Sequence, residues 1–261
     1  TSRNSVEGIG LEKLGYEKGT VTKTADQIRY HQPISEGKYY EVLVKWEKVP
    51  GNIVQGEWTI SNNTPAAIPA ASYDKHISWW QQFWKQSSIT LPDPLLETQY
   101  YREMYKLGSV ARAGAPAISL QAVWTADNGN LPPWKGDFHN DLNTQLSYWP
   151  AYTGNHLKEA ATFTDWLWKT RAANQKMTRQ YFQTEGLNVP GVETINGYPM
   201  GGWIQYSLSP TTGAWVSQHF YWQWKYSLDE KLLKEKVYPY IHETATFLEN
   251  ITRLENGKRK L

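Results

Sequence analysis

The chain has 261 residues, no cysteine, and 27 basic against 25 acidic side chains, for a formal charge of +2. That length holds one large domain, or one domain with part of another. The missing cysteines exclude disulfides, thiolate catalysis and cysteine-ligated zinc. The small, scattered charge argues against a nucleic-acid partner, and the absence of any long apolar run argues against a membrane helix. The one basic cluster, Lys258, Arg259 and Lys260, reads as a solvated tail.

In chain order, the first 64 residues read as strands. Tyr40, Val42, Val44 and Trp46 alternate with Glu41, Lys45 and Glu47, Leu43 being the exception. Gly51-Asn52 then makes a turn, and Gly56 to Ile60 resumes the alternation. Gly15 to Thr24 and Ile28 to His31 are weaker strands. So few strands cannot cover both faces of a sheet, which makes this the remnant of a β-sandwich or a small sheet lying against the rest. Pro65 to Ser72 is uncharged and rich in Ala and Pro, a linker that runs with the first helix to about residue 90.

After it the period becomes helical. Ser72 is placed to cap a helix carrying Ile77, Trp80 and Trp84, and Asp93-Pro94 predicts a capped helix with Leu96, Tyr100, Met104 and Leu107 in one stripe. Asn155 opens another, with Leu157, Ala160, Ala161, Thr164 and Trp168. Gly213 to Tyr226 is a fourth helix. Asp229 caps a fifth running towards Phe247, with Pro239 as a kink or break. Ala113 to Asp137 and Thr184 to Pro210 show no helical pattern, and loops this long usually carry function. Helices alternating with such loops fit an α/α toroid over residues 91–261, whose loops at one end form a bowl.

The composition holds 14 Trp and 17 Tyr against 6 Phe. Rings with a polar handle suit a site that stacks on sugar faces and reaches hydroxyls, although an aromatic-rich helical core gives the same count. Asp137, His139, Asp141, Asn143 and Gln145 recur at every second position, so in an extended segment they point one way. Such a polar row is costly to bury without partners and suits a polar ligand. A solvated polar edge is the plainer reading, but Phe138, Leu142, Leu146, Tyr148 and Trp149 around it argue for burial. Asp137 fits a loop cap equally well.

Trp124, Trp134 and Trp149 are candidate stacking surfaces, with Asp137 and His139 as polar contacts. General acid–base chemistry needs paired carboxyls, one of them kept protonated by its surroundings. The loop candidates are Asp137, Asp141, Glu185 and Glu193, of which the last two read as surface groups. No phosphate loop or Gly-x-Ser-x-Gly elbow occurs, and no second histidine cluster supports a metal at Asp137, His139 and Asp141. Neither metal nor cofactor is expected.

The run from Phe138 through Asn143 to Tyr148-Trp149-Pro150, preceded by Trp134, resembles a segment of glycoside hydrolase family 95, the α-L-fucosidase type. There, two asparagines one residue apart precede Tyr-Trp-Pro. Leu120-Gln121-Ala122-Val123-Trp124 is similar to that family's Leu-Gln-Gly-Ile-Trp. Weaker likenesses lie at Tyr100-Tyr101-Arg102 and at Gly213-Ala214-Trp215 with His219, so that the resemblance covers Tyr100 to Leu248.

The resemblance implies a mainly α fold, a partial (α/α)6 toroid behind the tail of a β-sandwich. It implies inverting hydrolysis of α-L-fucose-like or α-L-galactose-like residues of complex glycans. A periplasmic or secreted protein is expected, its signal segment not part of this sequence. Asn143 matches the second asparagine, which helps to position the attacking water. Asp141 stands where the first would be, which leaves Asp141 open as a base. The family's glutamic acid donor, in a Ser-Pro-Glu-like loop, and its base are not met before Leu261, so the chain is expected to be an incomplete part. A non-catalytic carbohydrate-binding fragment is the alternative.

Overall fold

The computed structural model describes residues 17–34, 37–69, 73–123, 136–200 and 204–261. The chain divides into two compact units, the first taking the described residues up to His76 and the second those from Ile77 onward.

The first unit is a four-stranded antiparallel sheet in sequence order: β1 (Thr20–Lys23), β2 (Gln27–Pro33), β3 (Tyr39–Val49) and β4 (Ile53–Asn62). Val49 pairs with Ile53, and the turn between them puts Gly51 (φ 88°) and Asn52 (φ 59°) in the left-handed region that these residue types tolerate. Tyr40, Val42, Val44 and Trp46 do share a face, but burial favours the other one. Leu43 and Glu41 are buried, whereas Val44, Trp58 and Ile60 are exposed.

The reason is a polar hub. Glu41 accepts a hydrogen bond from the Ala66 amide (2.7 Å), pairs with Arg29, and lies 3.1 Å from His31 Nδ1. Arg29 also donates to the Ala66 carbonyl (3.1 Å), so the start of the linker is hooked onto the sheet. The Ala66 amide first, then His31 and Arg29, hold the Glu41 carboxyl below its ordinary range. A depressed carboxyl stabilises the fold above the unfolded value of about 4.3 and loses that contribution as pH falls through the folded value. Glu41→Gln is therefore expected to lower stability by about 1–2 kcal/mol at pH 7, with the difference from wild type narrowing as pH falls through the depressed folded value. Urea unfolding at neutral and at acid pH checks this.

The second unit is helical. The boundary falls within α1 (Tyr73–Trp84), and α2 (Pro94–Val110) follows. Asp93 caps α2 as expected, accepting from Leu95 N (2.8 Å). Its stripe buries Met104 and Leu107 but leaves Leu96 exposed at the helix start. α3 (Asn143–Thr153) was not legible, and its Pro150 sits inside the helix. Asn155 does not open the next helix. It turns the chain at φ 58°, and α4 (Leu157–Met177) begins after His156.

A short α5 (Ile204–Ser207) precedes α6 (Thr212–Ser227). Asp229 then caps one turn, Glu230–Leu232, which runs through a π-helical stretch, Leu233–Val237, into α7 (Tyr238–Ile251). Pro239 therefore neither breaks nor ends the helix. The wider π turn, with Tyr238 N bonded to Leu233 O, comes just where a proline without an N–H enters.

α3 packs on α4, α4 on α6, and α6 on α7. Their shared core stacks Tyr148 on Phe163 (5.0 Å) and Phe220 on Tyr240 (4.0 Å). Lys258–Lys260 is not a loose tail. It pairs with Arg253–Glu255 across an Asn256-Gly257 turn with both residues at positive φ, its side chains still exposed.

Candidate functional site

The polar row lies where the first long loop meets α3. Phe138–His139 forms a two-residue strand, β5, antiparallel to β6 (Val192–Glu193) from the second long loop. Leu120 N bonds to Asp137 O (2.9 Å), which draws in the described start of the first loop. The two ends of β5 thus receive both loops.

Alternation holds as far as Asp141. Asp137, His139 and Asp141 lie together: His139 Nε2 is 3.0 Å from Asp137 Oδ1, and His139 Nδ1 is 3.9 Å from Asp141 Oδ1. Phe138 and Asn140 point the other way, Phe138 stacking on Trp166 at 4.3 Å and Asn140 fully buried. Both are ion-pair distances between the imidazole and a carboxyl oxygen.

At Asn143 the chain becomes helical, and the row divides. Asn143 stands exposed in the first turn of α3, while Gln145 turns inward, fully buried, and donates to Asn140 O. Thr144 Oγ1 caps His139 O (2.8 Å). Asp141 and Asn143 are thus presented from a turn fixed on its inner side. Trp149, partly exposed, stands about 9 Å along the axis from Asn143 and about 120° round the helix, its ring T-shaped to that of Trp222. Trp124 and Trp134 lie outside the described residues.

Among the described residues, cavities of about 560, 440 and 310 Å³ are lined elsewhere, the smallest between Gly114 to Pro116 and Ile195-Asn196 beside Trp166. None of Asp137, His139, Asp141 and Asn143 lines any of these three; the Asp137 and His139 side chains are largely buried, Asp141 is half-buried and Asn143 exposed.

Two residues central to this arrangement were not legible. Asn140, inside the row but out of step with it, donates to Pro190 O (3.2 Å) and to the Glu193 carboxyl. Glu193, read from sequence as a surface carboxylate, is fully buried, and burial pushes its carboxyl well above the ordinary range. A carboxylate in a Gly- and Pro-rich loop gives no periodic signal of such burial. Ala122 (φ 50°) adopts a left-handed conformation that favours glycine, at the position where the family resemblance carries one.

The chain matches the glycosyl hydrolase family 95 catalytic domain over residues 69–260. It is 29% identical over 166 residues to the Arabidopsis thaliana protein named Alpha-L-fucosidase 2, covering 62% of this chain and 20% of that one. It is 27% identical over 204 residues to the Aspergillus niger Probable alpha-fucosidase A, covering 68% of this chain and 25% of that one. The chain thus spans a fifth to a quarter of the length of these relatives. Its fold is similar to that of a putative kojibiose phosphorylase from human microbiome, with a TM-score of 0.61 and 12% identity over 92% of this chain and 37% of that one. With three quarters of its length matched and the Asp137–Asn143 row inside the matched segment, the chain belongs to glycosyl hydrolase family 95.

Proposed function

We propose that the chain supplies one wall of a glycoside hydrolase active site that cleaves α-L-fucose-like or α-L-galactose-like residues from complex glycans with inversion. Its helices, in this reading, are part of an (α/α)6 toroid. The sequential packing of α3, α4, α6 and α7 supports that architecture, as does the phosphorylase likeness. The names of the two relatives support the fucose-like sugar.

The observation that carries the reading is the row itself: Asp137, His139 and Asp141 gathered on one side, next to Asn143 on an open helix face. In the reaction, the Asn143 amide orients a water molecule. Asp141 accepts its proton as the water oxygen attacks the anomeric carbon and the glycosidic C–O bond breaks. Asp137 holds His139 in place. The leaving oxygen needs a proton from another group, because Glu193 is buried on the opposite side of β5.

Aryl α-L-fucosides and α-L-galactosides, assayed with this chain and with a longer protein extending past Leu261, test the proposal. Turnover by the longer protein supports it. Binding of L-fucose by both with turnover by neither favours a carbohydrate-binding role, and neither binding nor turnover removes both. In a form that turns over, Asn143→Ala is expected to lower kcat by at least about tenfold. An unchanged kcat would take Asn143 out of the site.

A further inference from the structure

We infer that Glu193 is a positioning residue for this site: its buried side chain ties the strand carrying His139 to the second long loop and to α4, and so sets where Asp141 and Asn143 stand. The inference rests on the proposed hydrolase site for its functional meaning, though not for its geometry.

Glu193 is 0% exposed and lies where three elements meet. Across β5 and β6 it pairs with Phe138, while Val192 pairs with His139. Its carboxyl receives the Asn140 amide from the site segment. From α4, the Asn174 amide, turned so that both its ends are satisfied, donates to Glu193 Oε2 (3.3 Å) and to Gly197 O (2.9 Å).

The second loop is held around the same point by Asn140 N to Gly191 O (2.7 Å), Gly191 N to Ser207 O (3.0 Å) and Met200 N to Val192 O (3.0 Å). From Asn140 the fixation passes to the catalytic row. Gln145 donates to Asn140 O and Thr144 to His139 O, which closes the turn holding Asp141 and starts the helix at Asn143.

Burial disfavours the charged form of this side chain. Among the described residues no cation contacts it, its polar neighbours are the Asn140 and Asn174 amides, and burial outweighs both, which holds the carboxyl well above its ordinary range. On α7, Tyr240 is fully buried and its hydroxyl is held up by burial, then by Glu193 and Glu243; the Arg171–Glu243 ion pair is also felt there. His139 and Asp141 point to the other side of β5. Ionising Glu193 would put an unpaired charge against the back of the site strand, which costs more than a neutral amide of the same shape.

The test measures hydrogen exchange over residues 138–145, corrected for intrinsic rates, and L-fucose affinity. Glu193→Gln should keep wild-type protection and affinity within about threefold, whereas Glu193→Ala should raise exchange and weaken L-fucose at least about tenfold. Exchange over 212–227 should not change. If Glu193→Ala does not fold, Asn140→Ala cuts the same tie from the other side and should give the same result.

As pH rises above the ordinary carboxyl range, protection of the wild-type segment should fall while Glu193→Gln stays flat, a difference that a space-filling role would not produce. Equal damage from Gln and Ala, unchanged protection in both alanine variants, or a wild-type profile that never departs from that of Glu193→Gln would each overturn the inference. If the wild type binds no L-fucose, the hydrolase reading falls alone, because the exchange measurements need no sugar.

Discussion

Asp141→Asn is expected to lower kcat by about a hundredfold or more in a form of the protein that hydrolyses aryl α-L-fucosides, with KM little changed. The asparagine keeps the shape and one oxygen but cannot take a proton. Asp141 is the half-buried carboxylate of the row and stands on the Nδ1 side of His139, whereas Asp137 is buried against Nε2. Asp137→Asn should therefore cost less, about tenfold, through the orientation of His139 alone. If Asp141 is the base, its replacement also removes the acidic limb of the kcat/KM profile. Asp141→Asn with an unchanged rate and an intact acidic limb would assign the base to another group and leave Asp141 as a sugar contact.

How much of this arrangement was legible depended on which period each residue obeyed. Asp137 and His139 were readable because they lie on or beside extended backbone, where a spacing of two means one side, and the turn at 140–142 still brings Asp141 to 3.9 Å from His139. The rule expired at Asn143, where the chain turns into α3. Gln145 accordingly joins the buried network behind the site, although it keeps the same spacing.

α3 itself was hidden. Pro150 argues against a helix, and the buried Thr144, Gln145 and Tyr148 are polar enough to blur any apolar stripe. The caps at Asp93 and Asp229 were legible because capping is local chemistry. The inversion of the sheet's faces was not, since nothing local tells Glu41 that Ala66 will bond to it from 25 residues away. Glu193 is the same case at the site: its partners Asn140 and Asn174 lie 53 residues before it and a helix away.

Removing the ring of Tyr148 should produce a large loss of stability. Its side chain is fully buried, stacked on Phe163 of α4 at an interplanar angle of 8°. Its hydroxyl accepts from Ile118 N (2.8 Å) in the first long loop and donates to Thr162 Oγ1 (3.0 Å) on α4, whose own proton goes to Glu159 O (2.8 Å). Burial pushes the phenol up to about 12, so it stays protonated across the working range.

One side chain thus joins α3, α4 and the loop leading to the site strand. Tyr148→Ala is expected to cost about 3–5 kcal/mol from lost burial and the cavity left behind, a large share of the roughly 5–15 kcal/mol that folded domains possess. Tyr148→Phe keeps the ring and strands the Ile118 amide, for about 1–3 kcal/mol, while Thr162 keeps its bond to Glu159 O. Urea midpoints for the two variants separate packing from hydrogen bonding. Equal losses would mean that the polar contacts, and not the stacked ring, hold the helices to the loop. If both losses stay below about 1 kcal/mol, the motif tyrosine is not what seats α3 against α4.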